Sequence, residues 1–291
     1  MTRGEVSADG VTSAVIGEEA IGERHARAAD IVRTAAATAL RFFGERDTLA
    51  VESKGRQDWV SVADRGVERE IRDALAAAFP DDGVVGEEHD DVAGSSGFVW
   101  VIDPIDGTTN FVNGMPGWCV VLAGVHDGRT VLAHVTDPVA GEVFAARLGC
   151  GATLGGEAIA VAASGSLSSG TLGVGHSLRV PPERTLALLA SLLDVGGLFY
   201  RSGSGALDLA KVAAGRLIGY AEAHMNAWDC LAALLLVEEA GGQVQPFDME
   251  GMLARGGRVV ASAPGVHDAL VAMADAAYRE PGRGALSDGR R

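Results

Sequence analysis

The residues of this chain that are best suited to do chemistry are two carboxylates, Asp103 and Asp106, which stand three residues apart. They follow directly on an apolar run, residues 98–102, that predicts a β-strand. Pro104 disfavours a helical conformation at Asp103, and Gly107 permits a sharp turn. Two acids brought together at the end of a strand repel each other, so they require a cation. Their oxygen atoms suit Mg²⁺ or Mn²⁺.

Three small polar residues follow this turn, namely Thr108, Thr109 and Asn110. Such residues are typical of the start of a helix. The N–H groups of a first helical turn have no partner within the helix, so they suit a phosphate group. The segment 100–111 therefore predicts a site for a divalent metal ion together with a phosphate.

Three further acids could join this site from other parts of the chain. Glu87 lies in an acidic loop, which taken alone is usually solvated, but beside the dicarboxylate turn it is a candidate ligand. Asp229 opens a predicted helix over 229–240, where it could be the N-cap, face a metal ion, or do both. Asp64 also precedes a predicted helix and could be only its cap.

The segment Gly-Ser-Gly-Ala at 203–206 lies between a predicted strand and a predicted helix, a position that suits contact with a hydroxyl group or an oxyanion. It is no dinucleotide fingerprint, because Asp208 stands where the third glycine would be. Glu222 ends the apolar run 217–221 and is either an acid that faces the substrate or a charge at the end of a strand. No motif of a serine nucleophile, P-loop or zinc site occurs in the sequence.

The composition narrows the class of protein. A formal net charge of −15 argues against a nucleic-acid partner, because contact with a phosphate backbone requires stripes of Lys and Arg. The longest leucine-rich run is too short to cross a bilayer, and the N-terminus lacks the pattern of a signal peptide. The three cysteines are isolated, which fits a reducing compartment. We therefore expect a soluble, cytoplasmic protein without a membrane partner.

The order of the predicted elements divides the chain into two halves. The first half reads as helices followed by a mostly antiparallel sheet, with a hairpin at Asp127-Gly128. The second half alternates strands and helices, the pattern of an α/β layer, so the fold class is α+β followed by α/β. The predicted segments are a flexible arm at 1–20, a metal- and phosphate-binding half at 21–163, an α/β half at 164–280 and a flexible tail at 281–291.

Together these segments resemble the inositol monophosphatase family, the lithium-sensitive, magnesium-dependent sugar phosphatases. The resemblance rests on GEE at 86–88, WVIDPIDGTTNF at 100–111 and WDCLAALLLVEEAGG at 228–242, with DWVSVAD at 58–64 and YAEAHMNAWD at 220–229 in matching order. It spans about residues 20–280 and implies a layered αβαβα sandwich of the sugar-phosphatase type.

The resemblance implies which residues hold the metal ions. The ligands of one ion would be Glu87, Asp103 and the carbonyl of Ile105, and those of a second would be Asp103, Asp106 and Asp229. The family implies two or three Mg²⁺ ions, with Mn²⁺ as a possible substitute.

It likewise implies which residues meet the substrate. The phosphate would contact Gly107 and Thr108, and the attacking water would be oriented by Asp64 and Thr108. The substrate alcohol would be held by Ser204, Gly205, Ala206 and Glu222, and Lys54 would line the site.

The expected function is Mg²⁺-dependent hydrolysis of a phosphate monoester by an activated water, on inositol 1-phosphate or a related sugar phosphate. Fructose 1,6-bisphosphate, histidinol phosphate and 3′-phosphoadenosine 5′-phosphate remain alternatives, because Asn226, Ala227 and the stretch 176–200 depart from better-known members near the alcohol. A non-catalytic, metal-binding regulatory module is the alternative of another class. The resemblance also implies a homodimer.

Overall fold

A computed structural model describes residues 16–45, 51–55 and 58–279, with side chains described for 16–45 and 62–279. Up to residue 163 the helices and strands are α1 (Glu18–Gly44), β1 (Val51–Gly55), β2 (Asp58–Ser61), α2 (Val62–Ala78), β3 (Gly83–Gly86), β4 (Phe98–Asp106), α3 (Thr108–Val112), β5 (Cys119–His126), β6 (Arg129–Asp137), β7 (Glu142–Arg147), β8 (Ala152–Leu154) and β9 (Glu157–Ala158). They are followed by β10 (Thr171–Val174), α4 (Pro182–Asp194), β11 (Leu198–Tyr200), α5 (Gly205–Ala213), β12 (Gly219–Met225), α6 (Ala227–Glu239), β13 (Gln243–Val244), α7 (Met249–Arg255), β14 (Gly257–Ser262) and α8 (Pro264–Ala277).

Two sheets organise the described residues, apart from the separate β1–β2 hairpin. The larger sheet has the strand order β3-β4-β5-β6-β7-β8-β9, and its pairs are antiparallel except for β3 with β4. The smaller sheet has the order β11-β10-β12-β14-β13, in which β10 runs parallel to β11 and β12. Strand β14 is antiparallel to both of its neighbours.

The larger sheet is covered on both faces because side chains alternate along each strand. On β4, Phe98, Trp100 and Ile102 are fully buried in one core with apolar residues of α1 and α2. Val101 points to the opposite face, where it joins a second core with residues of α5 and α6. Each face of this sheet therefore has its own helical layer.

The smaller sheet completes a five-layer arrangement. Tyr220 and Val259 of this sheet belong to the core that contains α5 and α6. On its other face, Leu172 and Val260 pack with Leu188 of α4 and Leu270 of α8. The layers are thus helix, sheet, helix, sheet and helix, which confirms the predicted fold class.

The predicted hairpin agrees closely with the structure. The hairpin at Asp127-Gly128 joins the antiparallel strands β5 and β6, and both turn residues have a positive φ, 49° and 68°. Helix α1 begins at Glu18, inside the segment predicted as an arm, while residues 1–15 and 281–291 lie outside the described residues. The division near residue 164 stays a prediction, although β9 and β10 lie on either side of it.

None of the helices in the described part of the chain combines the length and apolar character that a bilayer crossing needs.

Candidate active site

The segment predicted to bind a metal ion and a phosphate forms a sharp turn at the end of β4, which we call the predicted metal-binding turn. Asp103 and Asp106 are 1% and 8% exposed, and the pairing of β4 with β5 shifts register between them. The Ile105 N–H donates to Asp103 Oδ1 at 3.0 Å, which closes a tight loop over Pro104. Gly107 has φ +95°, and a Cβ there would lie 2.9 Å from the Gly117 carbonyl oxygen. The turn therefore requires glycine at 107 before α3 begins.

Four acids from three separate parts of the chain meet at this turn. Asp103, Asp106 and Asp229 each offer an oxygen, and these oxygens all lie within 4.8 Å of one another. Glu87 and Asp229 both lie close enough to Asp103 for their charges to act on it. The structure thus gathers all four carboxylates that the sequence singled out as candidate ligands.

The electrostatics of this cluster favour a bound cation. Burial, followed by the charges of Glu87, Asp106 and Asp229, raises the pKa of Asp103 well above its usual range. Burial and the charge of Asp229 raise the pKa of Asp106 to about 7, and burial also raises the pKa of Asp229. Buried carboxylates in contact with each other are stable only when protons or cations neutralise them. An all-oxygen, multiply acidic donor set fits a hard divalent cation.

Asp229 reaches the cluster from the first turn of α6. The helix begins at Ala227 and its N-cap is Asn226, so of the alternatives for Asp229 the one that makes it the N-cap is wrong. Asp229 is instead the partner in a capping box, and its Oδ2 accepts from the Asn226 N–H at 3.0 Å and from Asn226 Nδ2 at 3.1 Å. These two donors hold the carboxylate in its orientation toward Asp103.

Thr108 lies between Asp64 and the predicted metal-binding turn. Helix α2 begins at Val62, so Asp64 is a fully buried residue of the first turn and does not precede the helix as predicted. The Thr108 hydroxyl donates toward Asp64 Oδ1 at 3.3 Å and toward the Ile105 carbonyl at 3.1 Å. The lone pairs of the Thr108 oxygen can therefore accept a hydrogen bond from another group.

Two residues that the sequence analysis missed hold the loop that carries Glu87. Glu68 of α2 is fully buried, and its carboxylate accepts from the Glu88 N–H at 2.7 Å and from the His89 N–H at 3.2 Å. Arg72 donates to Glu68 at 2.7 Å and to the His89 carbonyl at 3.1 Å. The four-residue spacing of Glu68 and Arg72 on a helix is typical of an ion pair, but the sequence does not show which loop this pair holds.

The segment 204–206 contacts the predicted metal-binding turn directly. Ser204 is the N-cap of α5 and accepts from the Leu207 N–H at 3.2 Å. Its hydroxyl donates to Asp106 Oδ2 at 2.5 Å, and the Ala206 N–H donates to the same oxygen at 2.8 Å. This segment therefore orients Asp106 as well as facing the neighbouring cleft.

A cleft of about 150 Å³ opens beside the acids. Its walls are mostly polar and come from both halves of the chain, namely Asp106, Gly175, His176, Arg201, Gly203, Ser204, Gly205, Asp208, Tyr220, Glu222, Met225 and Asp229. Among the predicted alcohol contacts, Ser204, Gly205 and Glu222 line it, whereas Ala206 is buried behind it. The side chain of Lys54 lies outside the described residues.

Glu222 lies within β12, which continues to Met225, so the alternative that it is a charge at the end of a strand is wrong. Its Oε2 accepts from the Tyr220 hydroxyl at 2.5 Å. Burial raises the pKa of Glu222 to about 8, against the opposing effects of the Tyr220 hydrogen bond and of Arg201. Glu222 is therefore a buried acid in the cleft that binds a proton more tightly than an exposed glutamate does.

Comparison with known proteins gives this geometry a context. The model of the inositol monophosphatase family matches residues 20–279. An inositol-1-monophosphatase of Rhizobium meliloti is 42% identical over 206 residues, which cover 69% of this chain and 77% of the relative. A protein of Xylella fastidiosa called Nus factor SuhB is 41% identical over 220 residues, which cover 74% and 78%.

Solved structures agree with the sequence relatives. The extragenic suppressor protein SuhB of Bartonella henselae superimposes with a TM-score of 0.80 at 32% identity, and the match covers 87% of this chain and 98% of that one. Both the family model and the relatives extend across the two halves that build the cleft. The chain therefore belongs to the inositol monophosphatase family, and it is a phosphoric monoester hydrolase.

Proposed function

We propose that the protein hydrolyses the phosphate monoester of a small polyol, inositol 1-phosphate or a related sugar phosphate, with Mg²⁺ as its cofactor. The observation that carries the proposal is the meeting of Glu87, Asp103, Asp106 and Asp229 beside a polar cleft. Together with the Ile105 carbonyl, these residues would hold two or three Mg²⁺ ions, and Mn²⁺ could substitute. When bound, the ions neutralise the charge of the phosphate and lower the pKa of the attacking water.

The residues around Thr108 would aim the attacking water. Because the Thr108 hydroxyl directs its hydrogen toward Asp64 and the Ile105 carbonyl, its oxygen is left to accept a hydrogen bond from the water. The backbone N–H groups of Gly107 and Thr108 stand at the start of α3 and would donate to the phosphate oxygens. The chain would thus contribute positioning and charge, which is what a loose phosphoryl-transfer transition state needs.

The cleft would hold the alcohol part of the substrate. Ser204, Gly205, Ala206 and Glu222 would contact its hydroxyl groups, with Lys54 lining the same site. Glu222, whose carboxyl group accepts from the Tyr220 hydroxyl, lines the cleft and can hydrogen-bond a hydroxyl-rich leaving group. The polar lining favours a polyol over an aromatic nucleoside, whose base would need an apolar or stacking wall.

A substrate panel tests this proposal. We expect purified protein with Mg²⁺ to release phosphate from inositol 1-phosphate with a kcat/KM at least about tenfold above that for fructose 1,6-bisphosphate, histidinol phosphate or 3′-phosphoadenosine 5′-phosphate. Chelation of the metal with EDTA should abolish the release, and added Mg²⁺ or Mn²⁺ should restore it. A higher kcat/KM for another member of the panel would overturn the substrate assignment. Full activity in EDTA would overturn the cofactor.

Exposed apolar residues support a homodimer as part of the same proposal. The edge strand β11 leaves Leu198 and Phe199 65% and 51% exposed, and the preceding helix α4 adds Leu186 and Leu193. A second copy that covers this patch would remove apolar surface from water and protect the strand edge. Sedimentation velocity should give the mass of two chains, and Leu198→Glu should shift it toward one. A wild-type mass of one chain at micromolar concentration would contradict the dimer.

A further inference from the structure

Asn110 makes two hydrogen bonds that tie the two halves of the site together. It lies in α3, two residues beyond Thr108, and is only 6% exposed. Its Nδ2 donates to the Gly117 carbonyl at 2.6 Å and to the Ser202 carbonyl at 2.9 Å. The second bond joins residues that are 92 positions apart in sequence. Both hydrogens of the amide are thereby used, one for each half of the chain.

The backbone around this amide leaves space that fits it closely. Gly117 and Gly203 both have positive φ, +89° and +98°. A Cβ on Gly203 would lie 3.1 Å from Asn110 Nδ2 and 3.2 Å from Oδ1, and a Cβ on Gly117 would lie 3.4 Å from Nδ2. The two segments therefore approach the amide to a distance that side chains on these glycines would hinder.

The segment held by Asn110 continues directly into the residues that orient Asp106. The Ser202 hydroxyl donates to the Ser204 carbonyl at 3.1 Å and accepts from the Ser204 N–H at 3.1 Å. Ser204 and Ala206 then donate to Asp106 Oδ2. The segment 202–206 is thus attached at one end to Asn110 of α3 and at the other to Asp106, the last residue of β4.

We propose that Asn110 is a positioning residue that sets the distance between the segment 202–206 and the predicted metal-binding turn. This rests on the proposed function, in which that segment holds the departing alcohol. Loss of the two bonds would release the Ser202 carbonyl, although the Ser202 N–H would still donate to Asp208 Oδ2 at 3.1 Å, so the alcohol and Asp106 would be held in register less closely. A displacement of about 1 Å at a reacting centre lowers rates by about a hundredfold.

The test compares two esters whose leaving groups differ in their need for help. An alkyl ester, β-glycerophosphate, releases a strongly basic alkoxide and depends on contacts to the leaving oxygen. An aryl ester, p-nitrophenyl phosphate, releases a stable phenolate and depends on them far less. For Mg²⁺-loaded Asn110→Ala we expect kcat/KM for the alkyl ester to fall about 30- to 100-fold and that for the aryl ester less than about fivefold.

Two further variants make the outcome specific to positioning. Asn110→Asp keeps the size of the side chain but turns a carboxylate toward two carbonyl oxygens, so it should show the same selective loss and serves if Asn110→Ala does not fold. Asn113→Ala is the matched control, because exposed Asn113 donates only to the Thr109 carbonyl of its own helix, at 2.7 Å. It should retain wild-type kcat/KM for both esters.

Equal losses for both esters would show a purely structural role and overturn the inference, as would wild-type kinetics of the Asn110 variants. Failure of the proposed function gives a different result, because the wild-type protein would then release phosphate from neither ester.

Discussion

Asp103→Asn is expected to lower kcat/KM for phosphate release by about three orders of magnitude or more, while the protein stays folded. Asp103 lies at the centre of the cluster of acids, since its carboxylate lies beside Glu87, Asp106 and Asp229. An amide of the same shape keeps an acceptor for the Ile105 N–H but removes a charge that a divalent cation needs. The measurement is steady-state phosphate release at saturating Mg²⁺, with thermal unfolding as the check on folding.

Asp127→Asn is the matched control for that change. Asp127 lies in the exposed turn between β5 and β6 with φ 49°, a conformation that asparagine tolerates as well as aspartate. It should retain wild-type kcat/KM. Wild-type turnover by Asp103→Asn would show that this carboxylate holds no essential cation, and the assignment of Asp103 as a metal ligand would be wrong.

Asp229→Asn should lower kcat/KM by about two to three orders of magnitude with little effect on Tm. The reason lies in its two roles, as capping partner of Asn226 and as member of the acid cluster. The amide oxygen of asparagine can still accept the Asn226 N–H, so the start of α6 is retained. Its neutral side chain removes one charge from the cluster, which lowers the affinity for the cation.

Asp229→Ala separates these roles. It removes the acceptor as well as the charge, so it should lose activity to a similar degree and also lower Tm, because the Asn226 N–H loses its capping-box hydrogen bond, which is worth about 1 kcal/mol. If capping were the whole role of Asp229, Asp229→Asn would retain nearly full activity and only Asp229→Ala would be impaired. That pattern would remove Asp229 from the set of metal ligands.

The site illustrates a conflict between stability and chemistry. Four carboxylates are gathered at one place, where burial and the neighbouring acids raise the pKa values of Asp103 and Asp106 and burial raises that of Asp229. Neutral hydrogen-bond donors hold them there, notably Ser204 and the backbone N–H of Ala206 on Asp106. Cation binding would relieve the repulsion, so the metal would stabilise the folded state as well as supply the chemistry.

The parts of the site that the sequence predicts are those encoded by local signals. The turn between Asp103 and Gly107 follows from Pro104 and Gly107, which stand at fixed offsets beyond the apolar run 98–102. The hairpin at Asp127-Gly128 follows from its turn residues. The assembly of distant acids followed from the family resemblance, because nothing in the spacing of Glu87 and Asp229 places them beside Asp103.

Other features depended on tertiary contacts or competing local signals. Buried Glu68 reads as an ordinary acid of an amphipathic helix, and its role depends on a loop 20 residues away. The start of α6 was placed too late because Asn226 and Asp229 are both good caps, and the capping box decides for the first. Strands β9 and β13 contain only two residues each and exist through pairing with their neighbours, so no periodicity predicts them. The cap of α7 at Asp248 was a local signal that the sequence analysis missed.

The most direct test of the account is the anomalous diffraction of crystals grown with Mn²⁺, because manganese scatters anomalously and takes the same oxygen ligands as magnesium. The proposed set of metal ligands predicts an anomalous peak among the carboxylates of Asp103, Asp106 and Asp229, with the Glu87 carboxylate beside it. Saturating Mn²⁺ that left this place empty, or that bound only at surface carboxylates elsewhere, would contradict it.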